Sequence, residues 1–175
     1  MTQEFDSTPT IIGDFLNFNR NLAELPRKVT VPHEIKIGSC PYDVVFEEDR
    51  IRMLHYKPLT SKQIQTPILI SYAIVNRYHI FDIDPKKSWI RYLLENGFDV
   101  YMIDWGTPTN MDKFLGFDDY VNGYLDNCVE HACEQSNVDK VSLQGYCTGG
   151  TLATVYSALH PEKVKNLVAT APVID

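Results

Sequence analysis

An α/β fold, a mostly parallel sheet with helices on both faces, is predicted by three features of this sequence. Four short, nearly continuous apolar runs, at residues 67–75, 98–105, 140–146 and 164–173, lack the strict polar alternation of a half-exposed sheet, as strands buried on both faces do. Segments of helical periodicity separate them, and this alternating order implies parallel pairing through right-handed crossovers. The third feature is the stretch SLQGYCTGGT, residues 142–151, where one such run meets a row of helix formers.

The elements follow in order. The first 30 residues are expected to be weakly organised, with one short amphipathic helix over IIGDFLNFNRNLAEL that ends at Pro26. From residue 31 onward a single domain portion is expected. Residues 35–56 alternate apolar and polar side chains around an acidic turn at residues 47–49, the pattern of an antiparallel hairpin. After the first apolar run, PKKSWIRYLLEN is read as a helix with Asp84 as N-cap, Pro85 at the first helical position and Gly97 as its stop. The next helix runs from about Asp118 to Gln135. Its residues Val121, Tyr124, Leu125, Cys128, Val129 and Ala132 recur at i, i+3, i+4, i+7 and form one buried face. Cys128 is thereby a core residue, Cys133 lies off the stripe, and Cys40 falls in a Gly/Pro turn. The last helix follows residue 147, with Leu152, Val155 and Leu159 expected to face inward.

Composition narrows the function classes. The chain has 175 residues, 44% of them hydrophobic, and a net charge of −7. It carries no basic stripe to neutralise a phosphate backbone, so nucleic acid is not an expected partner. The polar, acidic start MTQEFDSTPT has no apolar leader-like segment, and no apolar run approaches the length of a membrane span; a cytoplasmic protein is expected. The four cysteines, Cys40, Cys128, Cys133 and Cys147, form no C-x-x-C pair, so free thiols are expected, with neither disulfides nor a metal. No internal repeat or low-complexity tract is present.

Gly145-Tyr146-Cys147-Thr148-Gly149 is a G-x-C-x-G sequence at a strand-to-helix turn, the cysteine form of the nucleophile elbow of α/β-hydrolases. Such a turn is tight enough that its flanks must be small, which accounts for Gly145 and Gly149, while Gly150 adds a second small residue where helix and strand approach. The turn lifts the Cys147 sulfur above the sheet and aims the first amides of the following helix at it, favouring a thiolate. The Thr148 N–H is one expected oxyanion donor, and the other is expected from the loop after the first apolar run, Val75 first and Ile74 next. A phosphate-binding loop is disfavoured, because GYCTGG has neither the G-x-G-x-x-G spacing nor the P-loop lysine.

From about residue 35 to its end the chain resembles the polyhydroxyalkanoate (PHA) synthases, specifically the shorter two-subunit type (class III/IV). The resemblance is carried by YAIVNRYHIFDI (residues 72–83) and by DVYMIDWGTPTNMDKFLGFDDYVNGYLD (residues 99–126), at the proper distance before the G-x-C-x-G box. The box alone would not suffice, since cysteine-dependent dienelactone hydrolases carry a similar one. The resemblance implies an α/β-hydrolase fold and an acyltransferase that makes polyester from (R)-3-hydroxyacyl-CoA through an acyl-cysteine at Cys147. It implies no cofactor. The associations it implies are a second synthase subunit (PhaE- or PhaR-like), self-association and a polymer-granule surface. A thiol suits that reaction: exchange of one thioester for another is nearly isoenergetic, so the acyl group stays activated for ester formation.

The triad partners should follow the nucleophile in the chain. The one later histidine, His160, lies 12 residues beyond Thr148 on the same helix, about 18 Å away along its axis, and cannot reach the sulfur. His79 is nearest to the expected oxyanion loop, while His33, His55 and His131 read as surface or structural residues. Asp104 ends a strand and reads as a loop anchor; Asp175 follows the last strand, where some hydrolases place the acid. The expectation is therefore an α/β-hydrolase fold incomplete at its C-terminal side, without cap region, acid or histidine, and catalytically silent alone. Two other readings stand beside the synthase: a cysteine-nucleophile thioesterase or dienelactone-hydrolase-like enzyme, and a non-catalytic piece that binds a partner subunit or granule.

Overall fold

The computed structural model describes residues 38–174. The short helix expected before Pro26, His33 and Asp175 lie outside the described residues. The chain divides into two units, Met1–Ile35 and Lys36–Asp175, and the described residues belong to the second.

The hairpin consists of β1 (Tyr42–Glu48) and β2 (Ile51–Tyr56). Its turn is Asp49-Arg50, with Asp49 at φ 52°, so Glu47 and Glu48 pair within the ladder instead of forming the turn. Aspartate tolerates that left-handed conformation better than most residues. Downstream come β3 (Ile64–Ser71), β4 (Phe98–Asp104), β5 (Val141–Tyr146) and β6 (Val164–Thr170). The six strands lie in the order β1-β2-β4-β3-β5-β6. Strands β4, β3, β5 and β6 are mutually parallel, and β2 joins β4 antiparallel. β3 starts and stops earlier than the apolar run at 67–75 suggests. The residues after Ser71 turn away from the sheet, leaving Val75 90% exposed.

Helix α1 (Trp89–Glu95) starts later than expected. Ser88, not Asp84, is its N-cap and accepts from the Arg91 amide at 2.9 Å. Asp84 instead closes a local turn, its carboxylate accepting from Lys86 N and its carbonyl from Lys87 N, both at 2.8 Å. An aspartate that satisfies its own neighbours competes with helix initiation, and Pro85 belongs to that turn. Gly97 closes the helix with φ 80°. The second helical segment holds the expected face, with Val121, Tyr124, Leu125, Cys128, Val129 and Ala132 all buried. Its first part, Asp119–Leu125, is wound as a π-helix before it continues as α2 (Asp126–Ser136). Helix α3 (Thr148–Leu159) buries Leu152, Ala153 and Tyr156. Leu159 is 56% exposed, contrary to the inward position expected, because the helix face that meets the sheet runs through Ala153 and Tyr156.

Successive residues of β5 point to opposite faces, and each meets a helix. Gln144 Oε1 accepts from Trp89 Nε1 of α1 at 3.1 Å, while Gly145 lies directly under Ala153 of α3. The Tyr156 hydroxyl of α3 donates to Asp126 of α2 at 2.6 Å. Helices therefore cover both faces of the sheet. The connection from β3 through α1 leads to β4 on one side, and the connection from β4 through α2 crosses to β5 on the other. That reversal opens a crevice at the carboxyl ends of β3 and β5, where α/β sheets place their sites.

Candidate active site

The turn between β5 and α3 sits at that crevice. Cys147 has φ 54° and ψ −126°, a conformation that a non-glycine residue adopts only when its surroundings impose it. Three bonds do so: Cys147 N donates to the Thr170 carbonyl at 3.0 Å, and the Cys147 carbonyl accepts from Gly150 N at 2.8 Å and Thr151 N at 3.2 Å. The flanks leave no room for larger residues. A Cβ on Gly145 would stand 2.5 Å from Gly150 Cα and 2.7 Å from Ala153 Cβ, and one on Gly149 would stand 2.6 Å from the Tyr72 carbonyl carbon. Gly150 is less constrained, its nearest neighbour being Pro172 Cβ at 3.1 Å. The result is a half-buried thiol at the N-terminus of a 12-residue helix, whose first amides lack intrahelical acceptors.

The other three thiols sit in different surroundings. Burial pushes Cys128 up to about 12, with Glu48 adding to the rise. Burial likewise raises Cys133, and it raises Cys40 against the lowering effect of the Ser39 hydroxyl.

The loop after β3 reaches the elbow directly. Ala73 to Asn76 form a turn closed by Asn76 N donating to the Ala73 carbonyl at 3.1 Å, with Ile74 and Val75 at its tip. The Ile74 amide donates to Thr148 Oγ1 at 3.3 Å, which ties this loop to the first residue of α3. Beside the elbow opens a cavity of about 390 Å³, walled by Ile74, Leu115, Phe117, Tyr120, Thr148 and Leu152. Leu115 and Phe117 come from the connection after β4, a contribution that sequence reading missed; the signal was a cluster of apolar side chains in an otherwise polar loop.

None of the described histidines hydrogen-bonds to Cys147. His55 stacks on Tyr101, ring centroids 4.1 Å apart, and pairs with Asp99 at 2.6 Å. His131 packs on Phe46. His160 caps the far end of α3 and meets Asn122 Oδ1 at 2.9 Å. His79 lines a separate cavity of about 480 Å³ with Arg52, Arg77, Tyr78, Asp104 and Thr107. Asp104 is a loop anchor there: its carboxylate accepts from Arg52 Nη2 at 2.5 Å and from the Gly106 amide at 3.1 Å. Among the described residues, no helix is long and apolar enough to cross a membrane.

Comparison with known proteins places this geometry. A family model described as alpha/beta hydrolase fold matches residues 66–175, and one described as the N-terminus of poly-beta-hydroxybutyrate polymerase (PhaC) matches residues 17–93. The poly(3-hydroxyalkanoate) polymerase subunit PhaC of Haloferax mediterranei is 48% identical over 85% of this chain and 30% of that protein. Its namesake from Allochromatium vinosum is 42% identical over 93% of this chain and 46% of that protein. The chain thus spans less than half the length of these relatives. Among solved structures, the Francisella virulence factor BioJ superposes with a TM-score of 0.60 at 15% identity, covering 93% of this chain and 52% of that one. A Sulfolobus solfataricus protein described as a putative lipase gives 0.54 at 19% identity, covering 73% and 48%. At such identities these two structures speak to the fold alone. The matching fold model and the relatives at 40–48% identity over most of the chain together show that the chain belongs to the alpha/beta hydrolase fold family and, within it, to the poly(3-hydroxyalkanoate) polymerase PhaC family.

Proposed function

We propose that this chain supplies the nucleophile-bearing part of a poly(3-hydroxyalkanoate) polymerase that acts on (R)-3-hydroxyacyl-CoA. The observation that carries the reading is Cys147, held at φ 54° on the N-terminus of α3, next to Thr148, which lines an apolar cavity. In the first step the Cys147 thiolate attacks the thioester carbonyl; the new C–S bond forms as the bond to coenzyme A breaks, and the released thiolate takes a proton. In the second, the hydroxyl oxygen of another acyl unit attacks the acyl-cysteine. An ester C–O bond forms, Cys147 leaves as thiolate, and the hydroxyl proton passes to a base. Oxyanion stabilisation falls to the Thr148 amide and to that of Val75, both at the crevice. Ile74 is the less suitable donor because its amide already faces Thr148 Oγ1.

The relatives are more than twice as long as the matched region, and the hydrolase order places acid and histidine after the nucleophile. We assign both to sequence beyond residue 175, which also supplies the cap. The relatives named as polymerase subunits support a second synthase subunit as partner, and granule association goes with the product. The test uses a protein of the relatives' length that carries this segment. Incubation with 3-hydroxybutyryl-CoA should acylate Cys147, seen by intact mass and peptide mapping, and yield polymer with release of coenzyme A. Free acid without polymer would point to a thioesterase instead, and acylation that persists in Cys147→Ala would refute the assignment.

A further inference from the structure

A second cavity, about 480 Å³ and lined by Arg52, Arg77, Tyr78, His79, Asp104 and Thr107, is not used by the chemistry at Cys147. Its charges do not cancel. Arg52 spends its charge on Asp104, in an ion pair of 2.5 Å, and Asp104 is nearly buried beneath it. Arg77 meets only neutral acceptors: its Nη1 donates to Thr107 Oγ1 at 2.8 Å and to the Gly106 carbonyl at 3.4 Å. Its Nε and Nη2 have no partner among the described residues, so one edge of the guanidinium fork stays open to an incoming anion. The cavity therefore keeps a surplus positive charge in a chain whose net charge is −7.

Position links this cation to the nucleophile. Arg77 lies three residues past Ile74, whose amide touches the first residue of α3, so its Cα is within about 11 Å of Ile74 Cα even with the chain fully extended. The loop opposite is fixed: Gly106 has φ 66°, and a Cβ there would stand 2.5 Å from the Arg50 carbonyl oxygen. Thr107 is thereby held where its hydroxyl meets the guanidinium. A thioester carbonyl at Cys147 and a phosphate at Arg77 would be joined by a flexible arm of the kind that pantetheine provides. A negatively charged protein that must admit a polyanionic substrate gains most from a local cation near the site.

We propose that Arg77, with Thr107 and His79 beside it, forms the subsite that receives the phosphate groups of the coenzyme A thioester. This rests on the acyl-CoA reading above. The test measures equilibrium binding of coenzyme A, 3′-dephospho-coenzyme A and pantetheine to the chain and to Arg77→Ala and Arg77→Lys. Arg77 is exposed, so neither substitution disturbs the core, and circular dichroism verifies this. Arg77→Ala should weaken coenzyme A binding about tenfold or more, as loss of a charge-assisted contact does. Arg77→Lys should recover part of it, and pantetheine binding should not change. If Arg77→Ala no longer weakens binding of the dephospho compound, the 3′-phosphate is the group on Arg77; if it weakens that binding as much as it weakens coenzyme A, the diphosphate is. Equal coenzyme A affinity in wild type and Arg77→Ala, or wild-type binding of coenzyme A no tighter than of pantetheine, overturns the subsite. The two ideas fail separately when acylation is followed in a protein of the relatives' length: Arg77-dependent binding without acylation of Cys147 there refutes the polymerase reading alone, whereas acylation that Arg77→Ala leaves unchanged refutes the subsite alone.

Discussion

Gly149→Ala isolates the packing that holds the elbow in place. An added Cβ would lie 2.6 Å from the Tyr72 carbonyl carbon, with the carbonyl oxygens of Ser71 and Tyr72 closer still. Relief to an ordinary contact of roughly 3.5 Å requires about 1 Å of movement. The end of β3 cannot supply it, because that strand is bonded to β4 on one side and β5 on the other. The N-terminus of α3 must lift instead. Overpacking against fixed backbone costs roughly 1–3 kcal/mol or more, against a helix-propensity gain from Gly to Ala of at most about 1 kcal/mol. A net loss of about 2 kcal/mol is expected, roughly a thirtyfold drop in the folded-to-unfolded ratio. Urea denaturation measures it, and the rate of Cys147 alkylation by iodoacetamide reports whether the amides beneath the sulfur have moved. Gly123→Ala is the matched control: nothing lies within 4 Å of its added Cβ, so it should leave stability unchanged or raise it by up to about 1 kcal/mol. If Gly149→Ala stays within about 0.5 kcal/mol of wild type with unaltered alkylation, the steric account of the elbow is wrong.

Three further outcomes are expected. In the folded chain near neutral pH, iodoacetamide should modify Cys147 well before the other thiols, since burial raises Cys128, Cys133 and Cys40; peptide mapping that finds Cys128 first would contradict the burial pattern. In a protein of the relatives' length, Cys147→Ser should lower polymer synthesis by orders of magnitude, because a hydroxyl is far less ionised and forms a less activated acyl intermediate; near wild-type rates would remove the case for a thiol. Burial alone would raise the pKa of Asp82, but the Ser39 and Ser88 hydroxyls and the Cys40 and Ser39 amides outweigh it and hold the carboxyl below the usual range. Its folded value is thus depressed, so its stabilisation is present above about pH 4 and fades as pH falls through the folded value. Asp82→Asn, which sets an NH₂ group among those donors, should lose roughly 1–3 kcal/mol at pH 7, with the gap to wild type narrowing as pH falls below about 4 in urea titrations; a gap independent of pH would show that the charge is not responsible.

Much of this protein is written locally. The apolar runs of β3, β4, β5 and β6, the stripe from Val121 to Ala132 and the G-x-C-x-G spacing depend on short-range stereochemistry and on side-chain period, so they can be read without knowing any neighbour. The tightness of the turn at Cys147 follows as well, since glycines at 145 and 149 let a helix start so close to a strand end. What lies beyond reach of such reading depends on which of several competing local hydrogen bonds forms and on partners far apart in the chain. Ser88 displaced Asp84 as N-cap because Asp84 found donors in its own turn, and Leu159 faces outward because the sheet meets α3 through Ala153 and Tyr156. The insertion of β4 between β2 and β3 joins residues about 50 positions apart, and it alone sets Arg52 on Asp104 and leaves Arg77 without an acid. Which charge is neutralised and which stays open to a ligand is a matter of tertiary neighbours, because the energy of an ion pair depends on where two side chains meet and what solvent they displace, and no sequence period encodes either.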